Sequence, residues 1–274
     1  MSNRPEIDLP IKREVRQRCG FGCVICGLPL YEYEHMEEWA VVKRHVASEI
    51  TLLCNQHHAE KTKGLLTKEM VKKANDNPFN VVMGISKPYL FHFSGNRAEM
   101  IMGNNKFVAE PDKYGPAFIV FPILIDRFPF IGFKVVDELL ILDLQLFDQN
   151  NHNLIRIIKN ELVFVADLWD VQFVGKKLTV RKGMGDIILD IDFNPPNKII
   201  VNKAQIYMNG VYVKVNSERI EVMNNKSKIT GCEITNIPFG IAVGNIEKLK
   251  RIKDKDIFIH VDGFPRFPVP FLID

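Results

Sequence analysis

Cys23-Val-Ile-Cys26 and Cys54-Asn-Gln-His57 are the two stretches of this 274-residue sequence that decide how its first part folds. Each stretch places two metal-binding side chains around a two-residue spacer, so that one tight turn directs both side chains to a common point. Two such turns supply the four ligands of a tetrahedral structural zinc ion. The sequence therefore predicts a zinc (Zn2+) site whose ligands are Cys23, Cys26, Cys54 and His57.

The neighbouring thiols and imidazole are weaker candidates for this site. Cys19 lies four residues before Cys23 and fits neither half of the pattern, and Cys232 stands alone far downstream. We interpret both as thiols without a role in metal binding. His58 competes with His57 for the fourth ligand position, and the two-residue spacing favours His57.

Composition limits the class of protein. Hydrophobic residues make up 46% and charged residues 25% of the chain, which is typical of a folded protein and excludes disorder for most of it. The longest apolar run, residues 117–125, is interrupted by Pro122 and is far shorter than the ~20 residues of a membrane helix. The first residues lack the apolar stretch of a secretory signal, so we expect a cytoplasmic location and no membrane partner. A net charge of +3 is too small to indicate nucleic-acid binding by itself.

Further residues occur between and after the two zinc-binding stretches, in an order that a simple zinc ribbon does not need. The elements are Cys23-x2-Cys26, Glu34-His35, Ile50-Thr-Leu-Leu-Cys54 and His57-His58-x2-Lys61. In order and spacing they resemble the zinc-knuckle branch of the HNH endonucleases, whose fold is the ββα-metal motif. The resemblance covers residues 11–77, and no family is suggested for the rest of the chain.

The resemblance implies roles for three residues. Glu34 and His58 are expected to bind a catalytic divalent metal ion, Mg2+ or Mn2+ or another divalent cation, and His35 is expected to act as general base. Hydrolysis of a phosphodiester requires a proton to be taken from water and a cation to neutralise charge on the phosphate. A histidine that titrates near neutrality suits the first task, and oxygen and imidazole ligands suit the second.

One position departs from the family pattern. The middle asparagine of the motif, which orients the base, falls on Glu49, five residues before the third zinc ligand. A glutamate oxygen can also accept a hydrogen bond from an imidazole. We therefore expect Glu49 to orient His35 as part of the catalytic group. His45, between these two residues, is interpreted as an exposed side chain.

Basic residues flank the site on both sides. Arg13, Arg16 and Arg18 recur at helical spacing in a segment, residues 11–18, that predicts a short helix. With Lys61 and Lys63 they are candidate contacts to DNA phosphates, which would add salt-sensitive affinity without sequence specificity. The alternative is that these basic residues lie on solvated helix faces without a binding role. For Lys61 the alternative is that it caps local structure.

The predicted fold class is α+β, with a boundary near residue 80. Residues 65–74 predict an amphipathic helix with Thr67 as its N-cap, and Asn75-Asp-Asn-Pro78 ends it. Residues 1–80 are therefore assigned to a zinc-stabilised ββα-metal module and residues 81–274 to a mostly-β domain. Candidate strands are residues 139–147, 161–165, 178–181, 187–193, 198–201 and 211–215.

Two arrangements of these strands remain open. Their spacing suits a sandwich-like fold, whereas short segments such as residues 203–210 and 211–215 would also stack as rungs of a β-solenoid. The role of this domain is not indicated by any motif. Sensing, positioning of the first module and oligomerisation, through a second copy or a regulatory partner, are the alternatives.

The sequence thus predicts a metal-dependent endonuclease that hydrolyses phosphodiester bonds of double-stranded DNA. Defence against foreign DNA is the biological role that analogy with this family suggests. The alternative is a non-catalytic zinc module that binds nucleic acid or protein and is joined to a regulatory β domain.

Overall fold

The computed structural model describes residues 5–95, 97–110, 119–136, 138–163, 168–245 and 256–269. Within these ranges the protein is mixed α+β and mostly β, as predicted. None of the described helices has the length and apolar character that crossing a bilayer requires.

The first part of the chain contains short helices around a single hairpin. In chain order its elements are α1 (Leu9–Arg18), β1 (Glu32–His35), α2 (Trp39–Val42), β2 (Ile50–Leu53), α3 (Asn55–Thr62), α4 (Lys68–Asp76) and α5 (Phe79–Met83). The predicted helix over residues 11–18 is confirmed as α1. The predicted N-cap is also confirmed, because Thr67 Oγ1 accepts a hydrogen bond from the Met70 amide at 3.3 Å at the start of α4.

The strands β1 and β2 and the helix α3 form one local unit. The two strands are antiparallel, with Glu34 opposite Thr51 and His35 opposite Ile50. Helix α3 begins at Asn55, directly after Cys54, so β2 leads into it without a loop. In this unit the C-terminal end of β1 lies beside the first turns of α3.

The rest of the described chain is built from strands. They are β3 (Phe91–His92), β4 (Ala98–Met102), β5 (Asn105–Ala109), β6 (Ile119–Ile125), β7 (Phe128–Val136), β8 (Leu139–Phe147), β9 (Asn153–Ile158), β10 (Glu161–Val163), β11 (Asp170–Val174), β12 (Lys177–Gly183), β13 (Asp186–Asn194), β14 (Lys198–Met208), β15 (Val211–Val215), β16 (Ile220–Val222), β17 (Ser227–Ile229), β18 (Glu233–Thr235), β19 (Phe239–Val243) and β20 (Ile257–Val261). The predicted strands 139–147 and 211–215 match β8 and β15 at both ends. For the predicted strand 161–165, residues 164 and 165 lie outside the described residues.

These strands pair in two large sheets. One has the order β10-β9-β8-β7-β6-β19-β20, with β3 also paired to β8. The other has the order β11-β12-β13-β14-β15-β16-β17, and β4, β5 and β18 extend it from β14. Most neighbours along both orders are antiparallel and consecutive in the chain, as in a meander.

The segments read as possible solenoid rungs form a hairpin instead. Strand β14 pairs antiparallel with β15, and Met208 stands opposite Val211 across the two-residue turn Asn209-Gly210. Both turn residues have positive φ, 48° and 77°, which is the conformation of the tight turns that join twisted antiparallel strands. Residues 203–215 therefore reverse direction and do not stack as parallel coils.

The described residues form two large hydrophobic cores and a small third one around Leu124 and Ala242. The largest contains buried residues from both large sheets, including Phe107, Phe133 and Val201. The second lies around the β1–β2 hairpin, and all its buried members fall between Ile7 and Val71. Phe21 is the exception to this division along the chain, because it comes from the first part and packs into the largest core.

Candidate metal centre

The turn that carries the first two cysteines is closed by backbone hydrogen bonds. The Cys23 amide donates to the Leu28 carbonyl at 2.9 Å, and the Gly27 amide donates to the Cys23 carbonyl at 2.8 Å. Gly27 has a φ of +75°, which a residue with a side chain rarely adopts. The resulting loop directs the Cys23 and Cys26 sulfurs toward the start of α3.

The predicted zinc ligands come together in one cluster. The ligand atoms of Cys23, Cys26, Cys54 and His57 all lie within 4.8 Å of one another. The Cys26 and Cys54 sulfurs are 3.8 Å apart, and His57 Nδ1 lies 3.4 Å from the Cys23 sulfur and 3.2 Å from the Cys54 sulfur.

These separations can be compared with those around a zinc ion. Tetrahedral zinc, with bonds of about 2.3 Å to sulfur and about 2.0 Å to nitrogen, separates two sulfurs by about 3.8 Å and a sulfur from a nitrogen by about 3.5 Å. The observed distances agree with both values to within a few tenths of an ångström. The cluster of three cysteines and one histidine could therefore hold a metal ion, and His57 supplies the imidazole that the spacing favoured.

Two features prepare these side chains to bind a cation. A hydrogen bond from Cys26 lowers the pKa of the Cys23 thiol and so favours the thiolate, the form that binds metal. His57 directs Nδ1 to the sulfurs, and its Nε2 lies 3.9 Å from a carboxylate oxygen of Glu60, one turn further along α3. At this distance the two atoms do not form a hydrogen bond, and the carboxylate places negative charge beside the imidazole.

A second group of polar side chains lies between β1 and α3. His58 Nε2 is 3.0 Å from Glu34 Oε2 and 3.8 Å from Glu32 Oε2. The Lys61 ammonium donates hydrogen bonds to Glu34 Oε1 and, at 2.9 Å, to the His35 carbonyl oxygen. The structure therefore brings together Glu34 and His58, the two predicted ligands of a catalytic cation. Lys61 caps this local arrangement, which is the second of its two predicted roles.

His35, the predicted general base, has a different environment. It is 2% exposed, and its Nε2 lies 3.2 Å from the carbonyl oxygen of Arg44. Its ring packs edge-on against Trp39, with centroids 5.2 Å apart. Glu34 contacts His58 and Lys61 of α3, whereas His35, the last residue of β1, packs against Trp39 and His45.

Glu49, the predicted orienting residue, pairs with Arg44. The Arg44 guanidinium donates two hydrogen bonds to the Glu49 carboxylate. The hydrogen bond from Arg44 lowers the pKa of Glu49, and the charge of His35 adds to this effect. Glu49 therefore lies within electrostatic range of His35, and its role as orienting residue stays a prediction.

The arginines of α1 contact the protein itself. Arg16 is 3% exposed, and Nε and Nη2 donate to the two carboxylate oxygens of Asp170 at 2.8 and 2.7 Å. Burial is the largest single effect and lowers the pKa of Arg16, but the hydrogen bond to Asp170 and the charges of Asp170, Tyr33 and Tyr31 together outweigh it, so the pKa is raised. Arg13 stacks over the Trp169 ring, 4.1 Å from its centroid. The prediction that Arg16 contacts phosphate is therefore wrong, because its guanidinium forms a buried ion pair with Asp170.

The remaining basic candidates differ in exposure. Arg18 is half-buried and donates to the Ile50 carbonyl oxygen and, at 3.2 Å, to Asn75 Oδ1. Lys63 is exposed at the C-terminal end of α3. Arg18 and Lys63 stay predictions as DNA contacts, and Lys63 is the more accessible of the two.

Two residues near these groups were missed or misread in the sequence. Glu32 reaches His58 together with Glu34, and the two-residue period of a strand would have placed both carboxylates on one side. His45 is half-buried and stacks on Trp39 with ring centroids 4.7 Å apart, so its interpretation as exposed is wrong. No periodicity marks His45, because it lies in an irregular loop.

No protein-family model, curated protein or solved structure matches the chain. The resemblance to the HNH endonucleases therefore depends on the quoted residues, and the structure adds the cluster of Cys23, Cys26, Cys54 and His57 that could bind metal.

Proposed function

We propose that this protein is a metal-dependent endonuclease that hydrolyses phosphodiester bonds of double-stranded DNA, with an HNH-type ββα-metal module at its N-terminal end. The observation that carries the proposal is the 3.0 Å approach of His58 Nε2 to Glu34 Oε2 beside the cluster of three cysteines and a histidine. Carboxylate oxygen and imidazole are donors that suit a divalent cation with open coordination positions.

In this proposal the two metal positions have different tasks. The four-ligand cluster holds a structural zinc, because its donor set is complete and leaves no open position for substrate. Glu34 and His58 hold a catalytic cation, Mg2+ or Mn2+, with Glu32 close enough to contribute. Such a cation would neutralise charge on the phosphate and on the departing oxygen.

The residues of the chain then act around the phosphate. Lys61 keeps the Glu34 carboxylate in place through its ammonium group. His35 takes the proton from the attacking water, the role that the resemblance assigns to it. Lys63, exposed at the end of α3, contacts the DNA backbone. Defence against foreign DNA is the biological role proposed for such an activity.

Plasmid cleavage tests the proposal. Purified full-length protein is incubated with supercoiled plasmid and either Mg2+ or Mn2+, beside the variants His35→Ala and His58→Ala. We expect nicked and linear product from the wild type and a loss of about 100-fold or more in each variant. His152→Ala is the matched control, because His152 is an exposed histidine of the β region with a 77% exposed side chain. A wild-type protein that cleaves nothing with any divalent cation between pH 6 and 9 would refute the proposal.

A second candidate function is a non-catalytic zinc module that binds nucleic acid or protein. The burial of His35, at 2% exposure, favours it, because a general base must reach a water molecule at the phosphate. This candidate predicts a gel shift of the intact plasmid, or capture of a protein partner, without cleavage. A cleavage defect in His35→Ala with normal DNA affinity would exclude it.

A further inference from the structure

A second imidazole, that of His45, lies against the buried ring of His35. His45 Nδ1 is 3.3 Å from His35 Nε2, and the centroids of the two rings are 5.2 Å apart. The other ring nitrogen of His45, Nε2, is 2.9 Å from the carbonyl oxygen of Pro5. His45 therefore forms a bridge between the segment before α1 and His35.

The carbonyl contact determines which nitrogen of His45 carries the proton. A carbonyl oxygen only accepts hydrogen bonds, so His45 Nε2 donates to Pro5. In the neutral ring the lone pair is then on Nδ1, the atom that faces His35. Protonation of His45 on both nitrogens would place an N–H against His35 Nε2 and remove this acceptor.

The same reasoning gives the tautomer of His35. Its Nε2 lies near two acceptors, the carbonyl oxygen of Arg44 at 3.2 Å and Nδ1 of His45 at 3.3 Å. An unprotonated Nε2 would place its own lone pair against both of them, which is electrostatically unfavourable. His35 Nε2 therefore carries a proton, and the lone pair of the ring is on Nδ1.

Neighbouring groups hold the His45 ring in this position. It stacks on Trp39 with centroids 4.7 Å apart and an interplanar angle of 24°. Arg44 and Glu49 are charged neighbours within the described part of the chain, and they pair with each other through two hydrogen bonds. The charge of Arg44 is thereby directed to Glu49.

We propose that His45 is a positioning residue for the general base: it accepts the Nε2 proton of His35 and so presents Nδ1 of His35 as the basic atom. This inference rests on the proposed endonuclease function. In the hydrolysis step Nδ1 takes a proton from the water whose oxygen bonds to phosphorus, while the bond from phosphorus to the departing oxygen breaks. The imidazolium that forms keeps its Nε2–H on His45 and Arg44, which stabilises its charge. His35 gains a proton in this step, and the protonation of His45 does not change.

Two substitutions separate the acceptor from the packing. His45→Phe retains a ring that stacks on Trp39 but has no acceptor. His45→Asn loses the ring but places Oδ1 where Nδ1 of the imidazole stood, and so retains an acceptor for His35. Far-UV circular dichroism and zinc content of both full-length variants establish that they fold like the wild type.

The first readout is the tautomer, measured by 15N NMR of histidine-labelled full-length protein, with His35→Gln used to assign the His35 signals. We expect protonated Nε2 and unprotonated Nδ1 for His35 in the wild type and in His45→Asn. In His45→Phe we expect a measurable population of the opposite tautomer, since only the Arg44 carbonyl remains as acceptor. Wild-type His35 protonated at Nδ1, or a tautomer unchanged in His45→Phe, would overturn the inference.

The second readout is plasmid cleavage under the conditions given above. We expect kcat to fall about tenfold in His45→Phe with KM for DNA unchanged, and to recover largely in His45→Asn, because orienting groups of this kind contribute roughly 10- to 100-fold. Equal loss in both variants would refute the acceptor role. The two proposals fail separately: an inactive wild type refutes the endonuclease function, whereas the NMR result decides the role of His45 without any cleavage.

Discussion

Asn80 fills a space that three glycines leave open beside the first cysteine turn. Its side chain is 1% exposed and Nδ2 donates to the Gly20 carbonyl oxygen at 2.8 Å. A Cβ atom placed on Gly22 would lie 2.4 Å from Asn80 Nδ2, and one placed on Gly27 would lie 2.3 Å from Oδ1. The glycines are thus required by close approach of a buried side chain as well as by backbone angles.

The first prediction concerns Gly27. We expect Gly27→Ala to lower the free energy of unfolding by about 3 kcal/mol or more, because left-handed strain of about 1–2 kcal/mol adds to the overpacking against Asn80. Gly64→Ala is the matched control, since Gly64 has nearly the same φ, +74°, and no atom within 4 Å of the added Cβ. We expect Gly64→Ala to lower the free energy of unfolding only by the cost of the left-handed backbone strain. Urea unfolding followed by circular dichroism measures both, and equal losses would show that the contact with Asn80 does not matter.

At the scale of secondary structure elements, the metal cluster joins a turn to a helix. Cys23 and Cys26 come from the turn after α1, whereas Cys54 and His57 lie at the start of α3. The helix is short and its own residues include no buried ones, so packing alone gives it little stability. We infer that a metal ion held by this cluster would fasten α3 to the hairpin.

The second prediction follows from this arrangement. Cys54→Ser should abolish binding of one zinc per chain and unfold the first part of the protein, a loss of several kcal/mol. Cys232→Ser, which changes a half-buried thiol outside the cluster, should keep full zinc content. Zinc is measured by atomic absorption and unfolding by limited proteolysis. Normal zinc content in Cys54→Ser would contradict the ligand assignment.

The local signals in the sequence were sufficient for some elements and not for others. The two-residue spacers predicted the metal cluster, and Thr67 predicted the start of α4, because both depend on neighbours in the chain. The environment of His35 was not predictable, since it depends on a loop in which His45 and Trp39 fold back onto it. The Asn209-Gly210 turn carried a hairpin signal that the solenoid interpretation of residues 203–215 overlooked.

At the scale of the whole molecule, α1 fastens the first part of the chain to one edge of a large sheet. Arg16 pairs with Asp170 at the start of β11, while Arg13 stacks on Trp169 and Gln17 donates to its carbonyl oxygen. No sequence pattern links these residues, because about 150 positions separate α1 from β11. Helical spacing of arginines therefore indicated a charged helix face but not which surface it contacts.

The third prediction concerns this buried ion pair, whose side chains are 4% and 3% exposed. Asp170→Ala leaves the buried charge of Arg16 without a carboxylate, with the Tyr33 hydroxyl as its remaining side-chain acceptor, and we expect a loss of about 3–5 kcal/mol in the free energy of unfolding. The double variant Arg16→Met, Asp170→Leu should recover most of this loss, because it removes both buried charges.

A surface ion pair provides the control for that experiment. Arg97 and Glu233 approach to 2.9 Å with side chains 36% and 50% exposed, so Glu233→Ala should cost less than about 1 kcal/mol. Chemical unfolding of the four proteins, wild type included, gives the comparison. If Asp170→Ala costs no more than Glu233→Ala, Arg16 finds another partner or water, and the contact between α1 and β11 is not what holds the two parts of the chain together.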